Sequence, residues 1–346
     1  MFVPVLDQDH KPLMPTAPAR ARRWIQRGDA TPFWDRGIFC VRLNRAPSGT
    51  RTQDIAVGID PGSRKEGITV KSAAHTYLNI QADAVTHVEE AVADRRDARR
   101  ARRYRKTPCR QPRRNRARGG IPPSTRARWQ WKLRLLNWLR RLFPITHVVV
   151  EDIQAQTKGQ RRWDARFSPL EVGKQWFYDE VRKVAQLITY PGHQTKALRD
   201  ALGLKKIRQK TAEVFAAHCV DSWVLAHAVV GGAGQPQNTR ILCVIPLRLH
   251  RRELHRRQAG VGGRRSAYGG TRSLGWRRGS LVRHPRHGLS FVGGASGGRI
   301  SLHGLADGQR RCQNARPSDL TFLAYSTWRS RLLPMPEGRG FRRESL

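Results

Sequence analysis

The sequence feature that most constrains the fold of this chain is the stretch 57–63, which reads VGIDPGS. An apolar run rich in β-branched residues ends at Ile59 and predicts a buried strand, and Pro61-Gly62 predicts a sharp turn directly after it. Asp60 therefore lies at the open end of a buried strand, where a carboxylate is costly unless it holds a cation. A simpler alternative is that Asp60 only caps the turn, as Asp before Pro-Gly often does.

Two later segments also place an acid on an apolar element. The run HVVVEDI predicts a strand that delivers Glu151, and the stretch 211–229 has the apolar spacing of a helix. On this helix His218 and Asp221 are three residues apart and share a face. Two adjacent strands with the helix packed across them would bring Asp60, Glu151 and Asp221 together. Three carboxylates, with room for water and phosphate oxygens, are the ligands that a pair of Mg²⁺ ions requires.

The segments VGIDPGSR, VVVEDI and HCVDSW resemble, in order and spacing, the three split motifs of a RuvC-type nuclease domain on the ribonuclease H fold. The rest of the chain narrows the resemblance to the transposon-encoded, RNA-guided IscB proteins and their smaller relatives, the IsrB proteins. KPLMP, near the N-terminus, is similar to the signature of their PLMP domain. Between Glu151 and Asp221 only one histidine precedes His218, which is too few for the HNH nuclease inserted in IscB. The chain therefore resembles IsrB, the relative without HNH.

This resemblance implies an RNA-guided DNA endonuclease, a nickase that cuts only the displaced, non-target strand. We expect two Mg²⁺ ions roughly 4 Å apart as cofactors, with Asp60 bridging both and Glu151 and Asp221 each completing one shell. His218 is the candidate base or orienting group for the attacking water, and Asp152 should point to the other side of its strand. Guide RNA, a non-coding omega RNA, and double-stranded DNA with an adjacent motif would be the partners of a protein monomer.

The composition is strongly basic, because 66 Lys and Arg against 26 Asp and Glu give a formal net charge of +40. Such an excess predicts a polyanionic partner. The stretch 85–106 predicts a helix that its arginines surround, with no apolar stripe to bury. Acids at its start favour a helix, although a solvated charge run is the alternative. It resembles the bridge helix that contacts guide RNA, and its nucleic-acid-binding residues would be Arg95, Arg96, Arg99, Arg100, Arg102 and Arg103.

The predicted fold class is α/β: a RuvC/ribonuclease H-like mixed sheet with an Arg-rich bridge helix, a small N-terminal PLMP module and a β-rich C-terminal domain. In the stretch 126–142 a Trp and Leu stripe predicts a core helix, with base stacking as the alternative. The expected domains are the PLMP module, 1–52; RuvC part I, 53–84; the Arg-rich helix and basic loop, 85–118; RuvC part II, 119–160; RuvC part III, 161–234; and a β-rich domain for RNA and the target-adjacent motif, 235–346.

The sequence contains no signal peptide and no run of eighteen apolar residues, so we expect a cytoplasmic, nucleoid-associated protein of a prokaryote, without a membrane partner. Five scattered cysteines without a Cys-x-x-Cys pair are expected to be reduced thiols. Two other functions stay open. One is an RNA-guided DNA-binding protein without effective cleavage, and the other is an RNA-independent, RuvC-like junction nuclease.

Overall fold

The computed structural model describes residues 2–104, 120–155, 168–247, 271–305, 307–325 and 328–333. The side chains of Arg102, Arg103 and Ala324 lie outside this description. The chain divides into two compact units, Met1–Cys243 with Leu332–Leu346, and Val244–Arg331. None of the described helices is long and apolar enough to span a membrane.

A small module opens the first unit. Its elements are β1 (Val3–Leu6), β2 (Pro12–Thr16), α1 (Pro18–Gln26), β3 (Ala30–Asp35) and β4 (Ile38–Leu43). The strand order is β2-β1-β4-β3, with β1 and β4 parallel and the other pairs antiparallel. The stretches 2–6, 18–28 and 37–43 of the sequence predict a strand, a short Arg-rich helix and a returning strand, which correspond to β1, α1 and β4. The sequence does not predict β3 or β2, which contains the PLMP segment. Prolines are tolerated in β2 because it is an edge strand.

A larger sheet and five helices make up the rest of the first unit. The strands are β5 (Ile55–Asp60), β6 (Lys65–Ser72), β7 (Thr76–Asp83), β8 (His147–Asp152), β9 (Gln186–Pro191) and β10 (Ile241–Pro246). The helices are α2 (His87–Tyr104), α3 (Pro123–Leu142), α4 (Pro169–Arg182), α5 (Gly192–Ala201) and α6 (Phe215–Val230). The strands follow the order β10-β7-β6-β5-β8-β9.

The directions of these strands confirm the predicted mixed sheet. The strands β5, β6 and β7 form an antiparallel meander, whereas β8 pairs parallel with β5, and β9 pairs parallel with β8. This is the ribonuclease H-like arrangement that the sequence predicts. Because β5 and β8 are parallel neighbours, their carboxyl ends meet at one edge of the sheet.

The helix α6 crosses the face of β5 and β6 at very short range. A methyl group on Gly58 of β5 would collide with the backbone oxygen of Ser222, and one on Gly67 of β6 would collide with that of His218. Only glycine at both positions allows the backbone of the helix to lie this close to the strands. The helix is buried from Ala217 to Ala226, as expected for a helix that is apolar all round.

The helix α3 begins at Pro123, with Pro122 at the N-cap and no side-chain cap. The sequence 122–125, PPST, predicts a cap before a helix that begins at 126. The helix instead begins three residues earlier, since proline is well suited to the first helical position. The predicted core role of the Trp and Leu stripe in this helix is confirmed. Its four side chains are at most 1% exposed, which leaves no face for base stacking: Trp131, Leu135, Trp138 and Leu142.

The second unit is β-rich, as predicted. Its strands are β11 (Arg272–Ser273), β12 (Trp276–Arg277), β13 (Ser280–His284), β14 (Gly288–Ser296), β15 (Arg299–His303), β16 (Arg310–Ala315), β17 (Thr321–Tyr325) and β18 (Trp328–Leu332), of which all residues but Leu332 belong to this unit. Five strands form an antiparallel sheet in the order β16-β15-β14-β13-β17. A short 3-10 helix spans Pro317–Asp319. Val282, Ile300 and Leu302 lie in the buried core of the second unit.

Four of the five cysteines fall in the described residues, and all four are free thiols: Cys40, Cys219, Cys243 and Cys312. The predicted reduced state is confirmed for these four. Cys109 lies outside the described residues, as does the basic loop predicted after α2.

We expect Gly58→Ala to lower the free energy of unfolding by roughly 1–3 kcal/mol, because the added methyl group must push α6 away from β5. Urea unfolding measures the change. Gly49→Ala is the matched control, since a methyl group there would contact nothing within 4 Å. Equal stabilities of the two variants would contradict the close approach of α6 to the sheet.

Candidate metal centre

Three carboxylates meet where the parallel strands β5 and β8 end. In the register of these strands Ile59 pairs with Val150, so Asp60 and Glu151, the next residues, lie side by side at the same edge. Asp221 comes from α6, which crosses this edge, and is buried. Each of the three residues contributes one oxygen to a group in which all distances are within 4.8 Å. The convergence that the sequence predicts for these acids is therefore found.

Two basic side chains compensate the charge of this cluster. Lys206 Nζ lies 3.0 Å from Asp60 Oδ2 and 2.6 Å from Asp221 Oδ2. Arg199 Nη1 donates a hydrogen bond of 2.7 Å to Asp221 Oδ1. Neither Lys206 nor Arg199 is among the residues that the sequence predicts for this site. With 66 Lys and Arg in the chain, neither one stands out, and only the fold shows which of them face the acids.

Glu151 carries the clearest electrostatic signature of the cluster. Burial, followed by the nearby charges of Asp60 and Asp221, raises the pKa of its carboxyl group to about 8, although Lys206 opposes this shift. Gly192, the first residue of α5, lies against it, because a methyl group there would come within 2.7 Å of Glu151 Oε1. The Glu151 carboxyl group is therefore confined in a strongly negative environment.

The chemistry of this group fits a divalent cation. Its three carboxylates offer the hard oxygen ligands that Mg²⁺ and Mn²⁺ prefer. Burial and the neighbouring charges of Asp60 and Asp221 raise the pKa of Glu151, and Lys206 opposes this shift only in part. A divalent cation on these oxygens would stabilise the charged carboxylate. Asp60, Glu151 and Asp221 are the described residues that could hold such an ion.

The other acid at this edge and the candidate base lie apart from the cluster. Asp152 Oδ1 contacts Lys174 Nζ at 2.7 Å and accepts a hydrogen bond from Tyr178, so its side chain joins β8 to α4. His218 Nε2 lies 2.9 Å from Lys210 O, and burial lowers the pKa of its ring. The catalytic role of His218 stays a prediction, and its observed contact is to the loop that carries Lys206.

The Arg-rich helix α2 is exposed along residues 94–101. The side chains of Arg96 and Arg100 are 64% and 66% exposed, each within ion-pair distance of Asp97. The helix is attached to α3 by an ion pair of 2.8 Å between Glu89 and Arg128. The helix thus presents an arginine surface without being held by a core, as the sequence predicts.

We expect the stability of the metal-free protein to reflect the raised pKa of Glu151. The folded protein holds the Glu151 proton up to a pH of about 8, whereas the unfolded chain releases it near 4.5. Unfolding therefore releases a proton in this window, and the stability that Glu151 contributes falls as the pH rises through it. Glu151→Gln removes this contribution. In EDTA, the difference in unfolding free energy between wild type and Glu151→Gln should change steadily from pH 5 to 9.

The control for this pH series is Glu90→Gln, which removes a carboxylate from the exposed side of α2. Its difference from wild type should show no comparable change over the same range. A difference between wild type and Glu151→Gln that stays constant with pH would contradict the confinement of Glu151.

Comparison with known proteins gives a family match and nine matching chains of solved structures, two of which are described below. The model of the RRXRR protein family matches residues 3–163, somewhat less than half of the chain. T. thermophilus RuvC in complex with Holliday junction substrate is 15% identical, with 52% of this chain and 97% of that chain covered and a TM-score of 0.27. A second Thermus thermophilus RuvC structure is 16% identical, with 50% and 93% covered and a TM-score of 0.27. No curated protein sequence matches.

The matched stretch includes two of the three clustered acids, Asp60 and Glu151, and all of α2. Within α2 the residues 99–103 read RRARR. The N-terminal module, the strand meander, the Arg-rich helix and the second acid of this chain are thus similar, as one continuous segment, to RRXRR proteins.

Proposed function

We propose that the protein is a Mg²⁺-dependent, RNA-guided DNA endonuclease that nicks the displaced strand of its target. The observation that carries this proposal is the convergence of Asp60, Glu151 and Asp221 at one edge of a ribonuclease H-like sheet. Hydrolysis of a phosphodiester needs an activated water and a stabilised leaving oxygen, and a carboxylate-bound metal pair supplies both. The described fold between Glu151 and Asp221 consists of α4, β9 and α5, which continue the same domain.

In this proposal the residues of the chain have distinct roles. Asp60, Glu151 and Asp221 hold the Mg²⁺ ions, which when bound lower the pKa of water and offset the charge on the phosphate. Glu151 would hold an ion as the charged carboxylate, although burial beside Asp60 and Asp221 raises the pKa of its carboxyl group while no ion is bound. Arg199 fixes the orientation of Asp221 from α5. His218 orients the loop that carries Lys206 through its contact with Lys210 O.

Guidance by RNA is supported by α2 and by the family match. Residues 94–101 expose arginines on a helix that no core holds in place, and α2 has 18 residues. A helix of this length spans about 27 Å, enough to follow several phosphates of a nucleic acid. RRXRR segments are found in IscB-like and IsrB-like proteins. The sequence motifs of this chain suggest the same group of proteins. Target choice would then come from base pairing, with the protein reading shape and a short adjacent motif.

The second unit supports a nucleic-acid surface of its own. An open groove of about 460 Å³ is lined by both arginines and aromatic rings. Phe322 and Tyr325 are 55% and 37% exposed, and the guanidinium of Arg277 lies 5.2 Å from the centre of the Tyr325 ring. Exposed rings beside arginines stack on unpaired bases while the arginines contact phosphate. We assign this groove to contacts with the guide RNA or the target-adjacent DNA.

We also propose that one protein chain with one guide RNA forms the active particle, in the cytoplasm and associated with the nucleoid. The protein would act without a membrane partner.

We expect Asp60→Ala to abolish guide-dependent nicking while binding of guide RNA and target persists. The measurement starts from protein co-expressed with its flanking non-coding DNA. The bound RNA is sequenced, and the complex is incubated with Mg²⁺ and a supercoiled plasmid that carries a matched target and a randomised flank. A discrete RNA and an open-circle product that depends on it are expected for the wild type.

The matched control is Asp152→Asn, which changes the neighbouring acid of β8 that contacts Lys174 instead of the cluster. It should nick like the wild type if it folds. A second variant, in which Gln replaces Arg95 and Arg99, should no longer bind the guide RNA, although its carboxylate cluster stays intact. Heterogeneous RNA without a guide-dependent nick, or cleavage of a four-way junction by RNA-free protein, would contradict the proposal.

A further inference from the structure

Lys206 holds the two carboxylate oxygens that a metal ion at this centre would need. Its Nζ contacts Oδ2 of Asp60 at 3.0 Å and Oδ2 of Asp221 at 2.6 Å. A divalent ion on these oxygens would lie within a few ångströms of the ammonium group, where like charges repel strongly in a partly buried site. Lys206 in this position and a metal ion on the same oxygens therefore exclude each other.

Arg199 differs from Lys206 in where it binds and in what carries it. Its Nη1 binds the other oxygen of Asp221, Oδ1, so it leaves Oδ2 available. Arg199 lies on α5, and its side chain is 14% exposed, whereas the Lys206 side chain is 33% exposed and belongs to the loop 202–214 between α5 and α6. Arg199 can keep its contact when an ion binds, but Lys206 cannot.

The part of the loop that carries Lys206 lies outside the core. Leu202 and Leu204 pack against the core cluster of α6, whereas residues 205–210 are all exposed and form no helix or strand. This exposed part contacts α6 through Ile207 N, which donates to Ala216 O at 3.0 Å, and through Lys210 O, which lies 2.9 Å from His218 Nε2. A segment with few buried contacts and exposed hydrogen bonds opens at a low free-energy cost.

In the ion-free centre, Lys206 compensates part of the negative charge of the carboxylates. Lys206 and Arg199 supply two positive charges to the carboxylates of Asp60 and Asp221, and Glu151 is the third acid of the cluster. Without Lys206, acids packed within 4.8 Å of one another would repel. Lys206 thus stabilises the arrangement of the acids before an ion arrives.

On the basis of the proposed metal-dependent function, we infer that Lys206 is an internal counter-ion that closes the ion-free centre and is displaced, together with its loop, when a divalent ion binds. Ion binding is then coupled to opening of the exposed part of the loop, residues 205–210. Lys206 acts as a positioning residue, because it holds Asp60 and Asp221 at the spacing that the ion takes over. The affinity of the wild-type protein for the ion is lowered by the cost of displacing this side chain.

The test compares Mn²⁺ binding by wild type, Lys206→Met, Lys206→Arg and Lys205→Met, each stripped of metal and titrated calorimetrically. Lys206→Met should bind Mn²⁺ on the order of tenfold more tightly than wild type or better, since the competing charge is gone. Lys206→Arg keeps the charge and should bind like the wild type. Lys205→Met removes an adjacent charge and should also match the wild type. Cooperative thermal unfolding verifies each fold, and Lys206→Gln replaces Lys206→Met if the latter does not fold.

Hydrogen exchange of the segment 203–213 provides a second readout. In the wild type, Mn²⁺ should reduce the protection of the Ile207 amide, whereas in Lys206→Met this protection should be low with and without the ion. Equal Mn²⁺ affinity of wild type and Lys206→Met, or greater protection of the loop on ion binding, would overturn the displacement of Lys206 but not the proposed function. Mn²⁺ binding that is absent in the wild type, or unchanged by Asp60→Ala, would overturn the proposed function as well.

Discussion

The centre depends on how closely the backbone of α6 lies against β5 and β6. Gly58 and Gly67 make this approach possible, because a methyl group at either position would collide with a backbone oxygen of the helix. At this distance Asp221 faces the carboxyl ends of β5 and β8, where Asp60 and Glu151 lie side by side. A larger separation of helix and sheet would leave Asp221 apart from the neighbouring pair Asp60 and Glu151.

Bringing acids into a folded interior carries an electrostatic cost, and the chain meets it with basic side chains from neighbouring elements. Lys132 of α3 contacts the fully buried Glu66 at 2.7 Å, with both side chains at most 4% exposed, although burial still raises the pKa of Glu66. At the centre, Arg199 and Lys206 compensate the cluster from α5 and from an exposed loop. The Lys132–Glu66 pair is enclosed by the core and acts as a structural ion pair. Lys206, by contrast, can move away from Asp60 and Asp221 and be replaced by a metal ion.

The strands, the helices and the acids of the centre follow patterns that are local in the sequence. Asp60 and Glu151 end apolar runs, and Asp221 lies on an apolar helix, so these residues could be predicted. Lys206 could not, because a lysine in a basic loop has no periodicity, and its role depends on the packing of distant elements. The edge strand β2 was missed because its prolines resemble a loop signal. The likeness of residues 3–163 to RRXRR proteins agrees with the motif-based prediction over that segment.

The metal centre is tested most directly by growing crystals of the protein with Mn²⁺ and measuring the anomalous scattering at the manganese absorption edge. We expect manganese peaks coordinated by Asp60, Glu151 and Asp221, at oxygen distances of about 2.1 Å. The Lys206 side chain should be withdrawn from both aspartates. Clear density for the three carboxylates, with Lys206 still bound between Asp60 and Asp221 and no anomalous peak beside them, would contradict the assignment of a metal centre.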